Sequence, residues 1–157
     1  MDELVKAWHR ERDDLDLGPV EVFSRITRLA RLLDKVRRNA FTAHEIENWE
    51  FDVLAALRRA GPPYQLTPGA LLRQTMVTSG TMTNRVDQLV KRGLVERSPD
   101  PSDRRGVLVH LTATGKRSVD GAFESLLASE RELLSDLAED ERVHLANLLK
   151  QLMAPFS

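Results

Sequence analysis

The sequence contains no cysteine, and that absence excludes several kinds of chemistry. Disulfides, thiolate metal sites and oxidant sensing through a thiol all need cysteine, so any signal must be read by other groups. No apolar run approaches the ~20 residues that a membrane-spanning helix requires. The amino terminus lacks the basic start and the apolar stretch of a secretory signal. We therefore expect a cytoplasmic protein with no membrane segment.

Residue clusters typical of enzymes are also missing. The histidines fall on different predicted elements, at His9, His44, His110 and His144. His44 and Glu47 are one helical turn apart, but two ligands do not make a metal site. Ser79-Gly80 lacks the preceding strand and the flanking glycines of a nucleophile elbow. The sequence therefore predicts a protein that is not an enzyme and that holds no metal or cofactor.

What the chain does have is a segregation of charge. The formal net charge is only -1, yet nine basic residues stand against four acidic ones between positions 73 and 117. From position 118 onward, eight acidic residues stand against three basic ones. A basic segment inside a nearly neutral chain is typical of a surface that binds nucleic acid. The length of 157 residues suits a small DNA-binding module joined to helices that need a partner.

The amino-terminal part predicts two helices. A short one runs from Asp2 to about Arg12 with Leu4, Val5 and Trp8 on one face, and a linker leads to Pro19. A longer one runs from Val20 to Arg38, because apolar residues recur at steps of four and three: Val22, Ile26, Leu29, Leu33 and Val36. We interpret its basic side as a solvated face, formed by Arg25, Arg28, Arg31, Lys35 and Arg38.

Three further helices follow. Thr42 and Glu45 form a capping-box pattern, which predicts a helix that ends at Gly61-Pro62-Pro63. Thr67-Pro68 opens a short helix. After a turn, a helix from Ser79 to Arg92 ends at Gly93, and its predicted buried residues are Met82, Val86, Leu89 and Val90.

The pattern then changes to strand, turn and strand over residues 94–97, 99–103 and 106–111. A long helix starts at Thr112 and buries Val119, Phe123, Leu126, Leu127, Leu133, Leu134 and Leu137. A last helix starts at about Glu139, and its apolar stripe is Leu145, Leu148, Leu149 and Leu152. Helix, turn, helix and hairpin is the winged helix-turn-helix order. The predicted fold is thus mainly α, with a small β-hairpin wing.

The helix from Ser79 carries side chains suited to reading DNA. Asn84 and Gln88 can pair with adenine, small hydroxyls permit close approach, and Lys91 suits a phosphate. The candidate DNA contacts are Thr67, Ser79, Gly80, Thr81, Thr83, Asn84, Gln88 and Lys91, with Arg104 and Arg105 at the hairpin tip for a narrow minor groove. The alternative interpretation is an ordinary polar surface helix.

The run from Thr78 to Arg97, followed by residues 99–106 and 111–116, resembles the MarR (multiple antibiotic resistance regulator) family. The resemblance implies a homodimer on a pseudo-palindromic operator whose half-sites lie about one helical turn apart. It implies amino-terminal helices over residues 1–40, a DNA-binding domain over 41–116 and dimerisation helices over 117–157. Repression that a small ligand relieves is the family expectation.

The segment from Leu4 to Trp8 is similar to an extra amino-terminal helix of the urate-responsive and PecS-like subgroup of that family. In that subgroup a tryptophan, an aspartate and two arginines frame the ligand pocket. The matching residues here are Trp8, Asp52, Arg85 and Arg97. The resemblance implies an effector such as urate or another planar anion, which would compete with Asp52 for Arg85 or Arg97 and tilt the recognition helix.

Two alternatives remain open from the sequence alone. The first is an Asp52–Arg97 salt bridge that only holds the wing in place, with Trp8 merely solvent-exposed. The second is a ligand-insensitive or architectural winged-helix DNA-binding protein, or an interaction protein that keeps the fold without operator specificity.

Overall fold

The computed structural model describes residues 2–156, except for the side chains of Asp2, Arg104 and Arg105. The chain divides into two compact units, residues 1–39 and 40–157. Within the described range there are seven α-helices, three strands and a terminal 3-10 turn. The predicted fold class, mainly α with a small β-hairpin wing, is confirmed.

The first unit consists of α1 (Asp2–Glu11) and most of α2 (Gly18–Thr42). Val5 on α1 and Leu17 in the linker are buried, whereas Trp8 is 50% exposed. In the linker the Arg12 guanidinium donates to both oxygens of Asp14 at 2.7 and 2.8 Å, and this hydrogen bonding lowers the pKa of the Asp14 carboxyl. Both predicted helices of this unit are present.

The predicted start of the third helix is wrong. Thr42 is the last residue of α2, and α3 (Asn48–Arg59) begins one turn after Glu45. The Glu50 carboxylate, not that of Glu45, accepts the backbone N–H that precedes the helix, from Glu47 at 2.9 Å. The physical reason is burial: Phe41 is completely buried, so its packing keeps the end of α2 helical and leaves no room for a helix start there.

The helix-turn-helix consists of α4 (Pro68–Thr75) and α5 (Ser79–Lys91). The hydroxyl of Thr67 accepts the amide N–H of Ala70 at 3.2 Å and so caps α4. Thr78 caps α5 in the same way, accepting from Thr81 at 3.4 Å. Gly93, at φ +68°, supplies the left-handed conformation that follows α5. The caps predicted at Thr67 and Gly93 are thereby confirmed.

One stripe of α5 packs into the core of the second unit. Met82, Val86 and Leu89 are at most 1% exposed, as predicted. Val90 is 38% exposed, so its predicted burial is wrong: it lies beside Leu89 on the edge of the stripe. The core that α5 joins also contains the fully buried side chains Phe41, Val53, Leu54, Leu57, Leu71 and Val109.

A three-stranded antiparallel sheet forms the wing. Its strands are β1 (Gln65–Leu66), β2 (Val95–Asp100) and β3 (Asp103–Leu111), in the order β1-β3-β2. The register pairs Val95 with Leu111 and Pro99 with Val107. The hairpin is longer than predicted at its tip, and β1 was not predicted at all.

Two helices complete the second unit. Thr112 caps α6 (Ala113–Leu133), since its hydroxyl accepts the N–H of Gly115 at 3.0 Å. The helix packs against α3 through Val119, Ala122 and Leu126. Three residues predicted to be buried are instead exposed by 37–49%, because they lie off the side of α6 that packs on α3 or at its carboxyl end: Phe123, Leu133 and Leu134. The last helix, α7 (Glu139–Met153), begins where predicted and has no buried residue.

Candidate nucleic-acid interface and effector site

The polar face of α5 is exposed along its whole length. The buried stripe of Met82, Val86 and Leu89 turns the opposite side outward. The side that faces solvent holds seven of the sequence candidates: Ser79, Gly80, Thr81, Thr83, Asn84, Gln88 and Lys91. The structure therefore brings these candidates together on one accessible surface.

Two amides lie one turn apart on this face. Gln88 Nε2 donates to Asn84 Oδ1 at 3.3 Å. This contact uses one acceptor of Asn84 and one donor of Gln88, and each amide has further donors and acceptors for the edge of a base. At the amino end, Thr83 Oγ1 donates to the carbonyl of Ser79 at 3.1 Å. The face thus combines aligned amides with hydroxyls already drawn close to the helix.

Gly80 is unusual among these residues because the protein does not require a glycine there. A Cβ built on Gly80 would meet no atom within 4 Å. Glycine inside a helix costs about 0.5–1 kcal/mol relative to alanine. Since an added Cβ would meet no neighbouring atom, the absence of bulk suits a close approach from outside the protein.

The remaining DNA candidates lie outside α5. Thr67 is half-buried and is engaged as the cap of α4. Arg104 and Arg105 belong to β3, and their side chains lie outside the described part of the structure. At the wing tip, the hydroxyl and the amide of Ser102 donate to Asp100 Oδ1 at 2.6 and 2.8 Å, and both bonds lower the pKa of the Asp100 carboxyl.

Three arginines connect α5 and the residue that follows it to neighbouring elements. Arg85 on α5 lies over the Trp49 ring of α3, with its Cζ 5.6 Å from the ring centroid. Arg97 on β2 donates to Asp87 of α5, at 2.5 Å between Nη1 and Oδ1. The third, Arg92, forms an ion pair with a buried carboxylate on α3. Both cations of the predicted effector site are therefore engaged by residues that the sequence analysis did not name.

The four predicted effector residues are placed as follows. Asp52 is exposed on α3, one turn after Trp49 and on the same flank of the helix. Arg97 pairs with Asp87, which lies on the α5 flank beside β2 and is nearer in the chain than Asp52. Trp8 belongs to the first unit. Trp49 and Asp52 are three residues apart, which places them on one flank of a helix. This spacing could have identified Trp49 from the sequence as a neighbour of the predicted effector residues.

A cavity of about 310 Å³ lies between α3 and α6. Its apolar wall contains Phe51 and Phe123, whose rings are tilted with centroids 6.4 Å apart. Arg58 and Asp120 border it and form an ion pair at 2.8 Å, which raises the pKa of Arg58.

Nowhere in the described residues do three or more acidic or histidine side chains converge as a metal site would need. No described helix is long and apolar enough to cross a membrane.

Comparison with known proteins places this architecture in a family. A model of the MarR family matches residues 44–106. The HTH-type transcriptional regulator PecS of Dickeya dadantii (strain 3937) is 35% identical over 147 residues, which cover 94% of this chain and 89% of PecS. The chain belongs to the MarR family. The sequence resemblance to this family and to its PecS-like members is confirmed.

Solved structures of other MarR-family proteins agree. A mutant MarR from E. coli complexed with operator DNA has a TM-score of 0.71 and 30% identity, with 90% of this chain and 96% of that one covered. BpsR of Bordetella bronchiseptica, solved to explain regulation of its DNA binding by 6-hydroxynicotinic acid, has a TM-score of 0.69 and 25% identity, with 83% and 91% covered. The relative PecS is an HTH-type transcriptional regulator.

Proposed function

We propose that this MarR-family protein is a homodimeric cytoplasmic repressor that binds a pseudo-palindromic operator and releases it when a small planar anion binds. The observation that carries the proposal is α5, which buries one apolar stripe and exposes a continuous polar face beside the hairpin. A helix so placed enters the major groove of DNA in winged-helix proteins. The E. coli relative solved on operator DNA supports this assignment.

Each candidate contact has a chemical role on DNA. Asn84 and Gln88 would read base edges, and Lys91 would contact phosphate. Arg104 and Arg105 would enter the minor groove from the wing. The small residues would let the helix approach the duplex: Thr67, Ser79, Gly80, Thr81 and Thr83.

The proposed second copy would cover the apolar surface of the terminal helices. The stripe on α7, which runs from Leu145 to Leu152, is 37–48% exposed in one protomer. Burial of such a stripe against a twofold partner stabilises a dimer through the hydrophobic effect. We accordingly assign residues 1–40 and 117–157 to dimerisation and residues 41–116 to DNA binding.

The proposed effector is urate or another planar anion, bound by Trp8, Asp52, Arg85 and Arg97. An anion that takes the Arg85 guanidinium would compete with Trp49, and one that takes Arg97 would compete with Asp87. Because Arg85 and Asp87 are both on α5, either exchange alters what holds the recognition helix. Regulation of BpsR by 6-hydroxynicotinic acid is a precedent within the same family.

The DNA-binding half of the proposal is tested by selection. Duplexes of about 30 base pairs would be selected from a random library with the wild-type protein and compared with a scrambled duplex. A regulator should prefer the selected duplex by about a thousandfold or more, with a twofold-symmetric consensus. An architectural protein would bind both duplexes equally with a similar salt dependence, and that result would reject operator recognition.

The effector half needs a separate titration. Urate would be added to the protein on the selected duplex while DNA anisotropy and tryptophan fluorescence are followed. Release of DNA, abolished by Arg85→Ala, is the expected result. Failure of urate and of 6-hydroxynicotinate to release DNA up to millimolar concentrations would reject the planar-anion effector while leaving operator binding intact.

A further inference from the structure

The first turn of α3 holds the recognition helix at two points. Trp49 and Glu50 are adjacent on α3, and their partners are Arg85 on α5 and Arg92, the residue that caps the carboxyl end of α5. These arginines are seven residues apart, so they lie on the same flank of α5 two turns from each other. One contact is in the middle of the helix and the other is at its carboxyl end.

The contact at the carboxyl end is built around a buried carboxylate. Glu50 is only 2% exposed, and its Oε2 accepts both the Glu47 N–H, at 2.9 Å, and Arg92 Nη1. The second nitrogen of the fork, Arg92 Nη2, donates to the carbonyl of Glu45. A buried carboxylate needs such partners because water no longer solvates it.

The two contacts constrain α5 differently. The fork of Arg92 reaches two acceptors in fixed directions, so it sets both the position and the angle of the helix end. The guanidinium of Arg85 over the Trp49 ring is a cation–π contact that tolerates sliding across the ring face. Of the two contacts, the one at Arg92 is therefore the more directional.

We propose that Glu50 and Arg92 are positioning residues for operator reading, forming the pivot about which α5 turns. This inference rests on the proposed function of α5 in the major groove. Hydrogen bonds from Asn84 and Gln88 to base edges weaken steeply when distance or angle is wrong. Phosphate contacts are long-ranged and tolerate such displacement. Loss of the pivot should therefore reduce sequence discrimination more than it reduces general DNA affinity.

The experiment compares Glu50→Gln with Asp120→Asn. Glutamine at position 50 keeps an acceptor for the Glu47 amide but removes the charge that binds Arg92. Asp120→Asn is the matched control, because it too removes the carboxylate charge of an ion pair with an arginine. Asp120 lies on α6 and pairs with Arg58 of α3, so this ion pair connects α3 to α6 and not to α5. Affinities for the selected and the scrambled duplex would be measured well below the melting temperature of each variant.

We expect Glu50→Gln to bind the selected duplex about tenfold more weakly, the cost of one lost base contact, and the scrambled duplex within about twofold of wild type. Asp120→Asn should leave the ratio of the two affinities unchanged. The inference is overturned if the ratio is unchanged in Glu50→Gln or falls equally in the control.

A second variant keeps the test decisive if Glu50→Gln does not fold. Arg92→Lys retains a cation for Glu50 but cannot reach Glu50 and Glu45 together as a planar fork does. It should lower the affinity ratio in the same direction, and an unchanged ratio in this folded variant overturns the inference. Failure of the wild-type protein to select any duplex would instead reject the proposed function itself.

Discussion

Helices α5 and α7 are both amphipathic and of similar length, 13 and 15 residues. Only α5 buries its apolar stripe within a single protomer. In α5 the apolar stripe of Met82, Val86 and Leu89 is at most 1% exposed. In α7 no residue is buried, and the most exposed member of the stripe, Leu148, is 48% exposed.

The difference indicates which kind of partner each exposed helix surface can bind. The apolar side of α5 is buried in the core of the second unit. The side that faces solvent carries hydrogen-bonding groups suited to DNA. The apolar side of α7 remains outward, which suits another protein surface. Asn147 and Leu148 are adjacent in the sequence of α7, and Asn84 lies on α5. Matched substitutions at these three residues can test the contrast.

The largest effect is expected from a charge on the α7 stripe. Leu148→Glu should dissociate the proposed dimer, because a carboxylate cannot be buried unpaired in an apolar interface. Operator affinity should then fall by about a hundredfold or more, since the two half-sites lose their linkage. Sedimentation equilibrium and anisotropy on the selected duplex measure the two effects.

The control for this prediction is Asn147→Glu, which adds the same charge on the opposite side of α7. It should remain dimeric and bind DNA as the wild type does. If Leu148→Glu stays dimeric, or if both variants dissociate equally, the α7 stripe is not the interface.

The next effect concerns the polar face of α5. Asn84→Ala should weaken operator binding by about 1–3 kcal/mol and relax the preference at one base pair, because it removes a base-edge contact. Unfolding free energy should change by less than about 0.5 kcal/mol, as expected for an exposed position. Asn147→Ala on α7 is the matched control and should leave DNA affinity unchanged. Equal affinities of Asn84→Ala and wild type would remove this residue from the interface.

The elements of the second unit were predictable wherever a local signal decided them. Thr67, Thr78 and Gly93 cap or end helices through contacts within a few residues, and the boundaries of α4 and α5 follow from them. The failed prediction at Thr42 and the real start at Glu47 each have a glutamate three residues later, at Glu45 and at Glu50. Which pattern is used depends on the burial of Phe41 and on the Arg92–Glu50 pair, both products of tertiary packing.

The candidate site was less predictable than the fold, for a similar reason. The outward face of α5 follows from helical periodicity, so its members could be named from the sequence. The partners of the arginines could not, because Arg85 meets Trp49 from a different helix and Arg97 meets Asp87 across a turn. The two-residue strand β1 was missed because its pairing of Gln65 with His110 is visible only in the folded sheet.

A smaller effect of opposite signs is expected at Gly80. Gly80→Ala should stabilise the protein by about 0.5–1 kcal/mol, because alanine is the better helix former and a Cβ there meets no atom within 4 Å. Operator affinity should fall, since the added methyl group would stand between α5 and the duplex. Chemical denaturation and anisotropy measure the two quantities. A variant that gains stability and keeps full affinity would show that α5 does not approach DNA at this residue.

The smallest effect concerns the wing tip, where Ser102 donates two hydrogen bonds to Asp100 of the same chain. The hydroxyl and amide of Ser102 lower the pKa of Asp100, so this carboxylate stabilises the folded turn fully above the ordinary aspartate pKa of about 3.9. As the pH falls through the lowered pKa, that stabilisation is lost. The Ser102 amide resonance, followed by NMR from about pH 6 to about pH 2, reports the transition.

The Asp100 titration should not depend on whether the apolar stripe of α7 is covered by a second copy. The midpoint should be the same in wild type and in Leu148→Glu, because both Ser102 groups that donate to Asp100 belong to the same chain. Ser102→Ala should raise the midpoint toward the ordinary aspartate value, since the hydroxyl donor to Asp100 is lost while the amide donor remains. A midpoint that moved with dissociation of the proposed dimer would mean that the second copy contacts the wing as well as the α7 stripe.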